Sequence, residues 1–147
     1  MTVHIRGIEC SLYNGNIKEL LVFLSNKPFD FFVKSCAKIN DNSIFLPQIS
    51  YNFCILSNEL YELAKASVWE LVLHMYPAGS NKQQIETYAD FLKSECLCCL
   101  IFYDCGMLDI YIKGYDLNRE IYNILNSLQA EDIKYITDSS DGRTFLY

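Results

Sequence analysis

The stretch Leu97-Cys98-Cys99-Leu100-Ile101-Phe102-Tyr103-Asp104-Cys105-Gly106-Met107-Leu108-Asp109-Ile110-Tyr111-Ile112-Lys113 reads as a strand, a tight turn and a second strand, and the rest of the chain is arranged around it. Its first arm, 97–103, is apolar at every position, the pattern of a strand buried on both faces in the middle of a sheet. Its second arm alternates. Leu108, Ile110 and Ile112 share one face, and Asp109, Tyr111 and Lys113 share the other, so this strand is expected to have one buried and one partly wet face. Gly106 stands between the arms, where a short hairpin favours a residue that tolerates positive φ.

Working outward, residues 68–76 repeat the period of two, with Trp69, Leu71, Leu73 and Met75 facing in and Glu70 and His74 facing out. Residues 3–10 form a first strand whose alternation slips at Gly7, where a bulge is expected. Strands at 29–37, 44–46 and 133–137 complete the set. Helical spacing marks Ile17, Leu20, Leu21 and Leu24, with Pro28 preventing continuation. It recurs in Leu60, Leu63 and Ala64 behind an N-cap at Ser57, and in Tyr88, Ala89 and Leu92 after the loop at 76–81. The longest example is Leu117, Ile121, Ile124, Leu125 and Leu128 behind a cap at Asp116. The resulting order is β-α-β-β-α-β-α-β-β-α-β. It is satisfied by a single α+β domain over residues 1–147, a mixed β-sheet with about four helices packed mainly on one face.

Composition narrows the function classes. A chain of 147 residues can bury about 70 % of the surface its unfolded form exposes. No apolar run approaches the roughly 20 residues that span a bilayer, and the first residues lack a basic-then-apolar leader, so a soluble, cytoplasmic protein is expected, without a membrane partner. Seven Cys in such a chain read as reduced thiols and not as a disulfide framework. The net charge of -6 is uneven: residues 1–73 hold six basic and seven acidic side chains, residues 74–147 six and eleven. An acidic chain with no basic stripe has little means of neutralising phosphates, which argues against nucleic acid and for a protein partner with a basic surface, or for self-association.

Candidate chemistry is sparse. Cys96, Cys98, Cys99 and Cys105 cluster, but neighbours on a strand point to opposite faces and no second pair has zinc spacing; they read as small core hydrophobes, with no metal and no cofactor. His4 and His74 lie on separate strands without a nucleophile elbow, so no catalytic residue is assigned and both read as surface or edge positions. No glycine-rich phosphate loop is present. Asp104 and Asp109, at the two ends of the hairpin turn, read as solvated carboxylates. The densest polar segment is Thr137-Asp138-Ser139-Ser140-Asp141-Gly142-Arg143-Thr144. Read as a turn, its side chains bond local backbone, Gly142 takes positive φ and Arg143 pairs with a nearby carboxylate. Read as a ligand loop, Arg143 offers its fork to an anionic group.

Several segments carry a resemblance: Arg6-Gly7-Ile8; Tyr76-Pro77; Thr87-Tyr88-Ala89-Asp90-Phe91-Leu92 followed by Ser94 and Cys96; and Tyr135-Ile136-Thr137-Asp138 with Asp141-Gly142-Arg143-Thr144. In these the chain resembles an uncharacterised bacterial family catalogued as domain of unknown function 2691. The resemblance implies a small cytoplasmic protein of spore-forming Gram-positive bacteria, or of a phage or mobile element resident in them. It carries over no activity and no functional residue.

Two functional expectations follow. The first is a non-enzymatic protein-binding module of the immunity or inhibitor type, in which carboxylates of the C-terminal half and tyrosines such as Tyr103, Tyr111 and Tyr122 cover a basic surface. The alternative is a small-ligand-binding protein or enzyme with a pocket whose mouth is formed by Arg6, Trp69, Asp138, Asp141 and Arg143.

Overall fold

The chain forms β1 (Ile5–Ser11), α1 (Ile17–Ser25), β2 (Phe29–Ile39), β3 (Ile49–Ile55), α2 (Ser57–Lys65), β4 (Ser67–Pro77), α3 (Tyr88–Lys93), β5 (Cys98–Tyr103), β6 (Met107–Ile112), α4 (Tyr115–Ser127) and β7 (Glu131–Thr137). The element order agrees with the pattern, but β3 lies at Ile49–Ile55, a stretch in which no strand was expected. The computed structural model describes residues 4–12, 17–39, 49–55, 57–65, 67–104, 106–143 and 145–146, with backbone alone for 37–39, 49–55, 57, 67 and 69. The short strand expected at 44–46 lies outside the described residues, as does Cys105.

All seven strands join one sheet in the order β3-β2-β4-β5-β6-β1-β7. The sheet is antiparallel at every pairing, where a mixed sheet was expected. The reason lies in two crossovers. β6-α4-β7 reads along the chain as a parallel unit, but β1 inserts between its two strands and pairs antiparallel with both. β2 does the same between the strands of β3-α2-β4. The β1 insertion comes from distant sequence and leaves no local signal, whereas β2 directly precedes β3 in the chain.

The central hairpin pairs Leu100 with Ile110 and Cys99 with Tyr111. Its turn places Asp104 at φ 51, a conformation that Asp tolerates better than most residues. The expected bulge at Gly7 is present as a register shift between Ile5 and Gly7 against β7. Glycine is required there because a Cβ would lie 1.8 Å from the Ile110 carbonyl oxygen of β6. Gly114, at φ 92, and not Asp116, occupies the N-cap of α4; Asp116 sits in the first turn, where a carboxylate favours the helix dipole.

Three helices cover one face of the sheet. Leu20, Leu21 and Leu24 of α1, Leu60 and Ala64 of α2, and Ile121 and Leu125 of α4 bury themselves on Ile8, Leu73, Leu100, Ile110 and their neighbours. The other face is not a wet one. It carries Val72, Tyr76, Cys99, Ile101, Tyr111 and Ile136, closed over by Phe91 of α3, Ile85 and Leu146. The cover is held by a capping box between Thr87 and Asp90 and by a bond from Leu146 N–H to the Glu86 carbonyl (2.7 Å). His74, expected at the surface, is therefore buried, as are Asp109 and Tyr111. Period-two alternation correctly separated the two faces, but the second face is covered by residues remote in sequence.

Candidate functional site

The register lines up one row across the second face: Phe32 opposite His74, His74 opposite Cys99, Cys99 opposite Tyr111, Tyr111 opposite Gly7. At the β1 end of that row the loop after β7 folds back onto the sheet. Asp141 is the hub. Its carboxylate accepts from Arg6 Nη1 (3.2 Å), from the Tyr111 hydroxyl (3.0 Å) and from the Arg143 backbone N–H (3.0 Å). Arg143 Nη2 in turn donates to Asp109 Oδ2 at 2.5 Å, and the Tyr103 hydroxyl donates to the same oxygen at 3.3 Å. The Arg6 guanidinium lies 4.2 Å from the centre of the Tyr88 ring, and that of Arg143 lies 5.4 Å from the centre of Tyr103. Each cation is thus fixed by a carboxylate and an aromatic face.

The electrostatics follow from burial. It pushes the Asp109 carboxyl up from its ordinary value against the opposing pull of Arg143, and it pushes the Tyr111 hydroxyl up, with Asp141 adding in the same direction. Tyr88 and Tyr103 are raised for the same first reason. These phenols are therefore donors that hold their protons, not bases. Two Arg–Asp pairs in mutual contact through one loop make a clamp that fastens residues 138–143 to β1 and β6. An open cavity of about 320 Å³ beside it is lined by Glu9, Asp109, Tyr111, Asp141 and Arg143.

Of the residues singled out from sequence, Arg6, Asp141 and Arg143 come together. Asp138 is exposed; its backbone N–H bonds the His4 carbonyl, which ties the loop to the start of β1. Trp69 lies in β4 at a register shift against β2, and its side chain is outside the described residues. Asp109 and Asp104 are separated by the hairpin: Asp104 is exposed and Asp109 faces Arg143. Gly142 does not adopt the positive φ expected of it, because the bonds to Asp141 shape the turn instead. Sequence reading missed Asp109 as the partner of Arg143, and Tyr88 and Tyr111 as the aromatic and hydroxyl support of Arg6 and Asp141. A carboxylate on the alternate face of an otherwise apolar strand was the available signal.

A second feature lies at the edge of the sheet. β7 pairs only with β1 among the described strands. Tyr135 on β7 stacks on Tyr122 of α4, centroids 4.9 Å apart at 20°. Tyr115, 70 % exposed, lies beneath Arg119, whose guanidinium is 5.7 Å from the ring centre. Asp116, Glu131 and Asp132 are exposed on the same two elements. On these two elements the exposed tyrosines are Tyr115 and Tyr135, and Tyr61 of α2 is exposed elsewhere; of the three expected from sequence, Tyr111 is buried and Tyr103 and Tyr122 are half-buried. Among the described residues no helix is long and apolar enough to cross a membrane, and no cluster of three metal-binding side chains occurs.

The chain belongs to the family described as Protein of unknown function (DUF2691), which matches residues 6–147 and so takes in the clamp, the α4–β7 edge and all of the sheet but Ile5. It is similar to "Uncharacterized protein YncE" of Bacillus subtilis (strain 168), with 31 % identity over 100 residues, covering 58 % of this chain and 64 % of that protein. The match thus spans less than two thirds of that relative's length. No solved structure matches.

Proposed function

We propose that this member of a family of unknown function is a non-enzymatic binding module of the immunity or inhibitor type, acting in the cytoplasm. It engages a partner protein with a basic surface through the edge made by α4 and β7. The observation that carries this reading is the cluster of Tyr115, Arg119, Tyr122 and Tyr135, in which Tyr115, Arg119 and Tyr135 are left at the surface beside the sheet edge, flanked by carboxylates, over the half-buried Tyr122. Tyr and Arg are the residue types enriched at protein interfaces and at their energetic centres. Acidic groups around them favour encounter with a basic partner. β7 also offers a strand edge to which a partner segment can add.

The alternative, a ligand pocket near Arg6 and residues 138–143, has less support. The guanidinium groups that would hold an anion are engaged by Asp141 and Asp109. The test is affinity capture from host lysate with the wild-type chain and with a Tyr115→Ala, Tyr135→Ala double variant of unchanged thermal stability. A stoichiometric basic protein retained by the wild type alone and released by salt is the expected result. Equal capture by both forms, or capture by neither, contradicts the proposal.

A further inference from the structure

The open edge of β7 has a defined extent. Asp138 N–H donates to the His4 carbonyl (3.1 Å) and is turned toward the start of β1, so the neighbouring Thr137 is turned away from it. Thr137 is nevertheless closed to a partner. Its N–H donates to Ser140 Oγ (3.0 Å), and its carbonyl accepts from the N–H groups of Ser140 (3.2 Å) and Asp141 (3.0 Å). At the other end, a register shift against Glu9 and Ser11, with Asp132 at φ 54, ends the regular pairing. Between these ends the side chains alternate without a break. Ile133 packs on the helical side, Lys134 pairs with Glu9, Tyr135 stacks on Tyr122, and Ile136 enters the core of the other face. Main-chain groups alternate with them, so the N–H and C=O of Ile133 and Tyr135 point outward from the sheet edge.

The surroundings of this short edge select its occupant. Asp116, Glu131, Asp132 and Asp138 are exposed on α4, on β7 and just beyond it, and among the described residues none of them is in an ion pair. The cations on these elements are engaged: Lys134 by Glu9 (3.1 Å), and Arg119 by the face of Tyr115. A second copy of this chain would bring the same carboxylates up against these, which like-charge repulsion opposes. A cationic strand meets no such penalty. Its side chains on the helical side stand next to Tyr135 and Tyr122, whose ring faces attract cations.

We propose that the element recognised in the partner is an extended basic segment, which adds to β7 as a further strand through the main chain of Ile133 and Tyr135. Its lysine or arginine side chains are set among the four carboxylates and the tyrosines. This rests on the binding-module reading above and names the element that the edge takes.

The probe is a short acetylated and amidated peptide of alternating threonine and arginine. One counterpart replaces arginine by glutamate. Another carries N-methyl groups on two adjacent central residues, which blocks both of its edges and leaves its charge intact. Titration of the ¹⁵N-labelled chain with the basic peptide should give saturable shifts at the Ile133 and Tyr135 amides and slow their hydrogen exchange. The acidic and the N-methylated peptides should bind about tenfold more weakly. Absence of a saturable shift up to about 10 mM, shifts confined to the opposite edge at β3, or equal affinity for the N-methylated peptide overturns strand addition. Equal affinity for the acidic peptide overturns the basic character of the segment. The wider reading is judged separately by the capture experiment: a basic protein lost in the Tyr115→Ala, Tyr135→Ala variant, from a chain that fails to bind the peptide, leaves the binding module standing and overturns strand addition alone.

Discussion

Replacing His74 by Phe should abolish a specific acid sensitivity of the fold. Burial, aided by the charge of Lys34, lowers the His74 pKa from 6.5 to about 4. The folded value lies below the unfolded one, so between them the unfolded chain binds more protons than the native one and stability rises with pH. The stabilisation is complete above about pH 6.5 and is lost as pH falls towards 4. The gap integrates to about 3 kcal/mol at 1.36 kcal/mol per pKa unit, and near-complete burial of the ring means that little solvent screening reduces it. Urea denaturation of the wild type and of His74→Phe at a series of pH values from about 7.5 to 4.5 measures the difference directly. Carboxylates titrate in both proteins, so their contributions cancel in the comparison. The wild type should lose about 2–3 kcal/mol more than the variant across that range. Parallel pH profiles, or a His74 ring titrating near 6.5 in the native protein, would refute the reasoning.

Three further outcomes follow from the packing. Asp141→Ala removes the acceptor of Arg6, Tyr111 and the Arg143 N–H and should destabilise by about 3 kcal/mol in urea. Asp141→Asn should recover part of that loss by keeping an acceptor, and a change of less than about 0.5 kcal/mol in Asp141→Ala would mean that the clamp does not hold the loop. Gly7→Ala places a methyl group into the Ile110 carbonyl and should cost about 3 kcal/mol or more, read as a fall in the urea midpoint with an unchanged slope. Burial raises the thiols of Cys98 and Cys99 well above their ordinary value, that of Cys10 to about 12 and that of Cys96 to about 11. A thiol reagent near pH 8 should therefore label these four no faster than the protein unfolds; rapid labelling of any of them, located by peptide mapping, would contradict their placement.

Much of the architecture was legible because it is written in local periodicity. The apolar run at 97–103, the alternation at 108–112 and the helical stripe from Leu117 to Leu128 each specify an element and its inner face. The slip at Gly7 also specified a bulge. What the pattern could not carry was pairing between strands far apart in sequence. β1 lies between β6 and β7 because Gly7 allows close approach to Ile110, and nothing near residue 7 announces that contact. The misplacement of His74 has the same origin: a polar residue alternating with Leu reads as solvated unless the cover from Phe91, Ile85 and Leu146 is known. Arg6, Asp141 and Arg143 were found by their polarity and density. Their role as a mutual clamp depended on Asp109, whose position on a buried strand concealed its pairing.

The proposed partner surface is tested most directly by amide hydrogen exchange of the chain alone and in complex with the protein it captures. The account predicts new protection in residues 115–137, concentrated on α4 and β7, with 138–143, β2 and β4 unchanged. Protection confined to residues 82–94 or 138–143, with α4 and β7 exchanging as in the free chain, would contradict it.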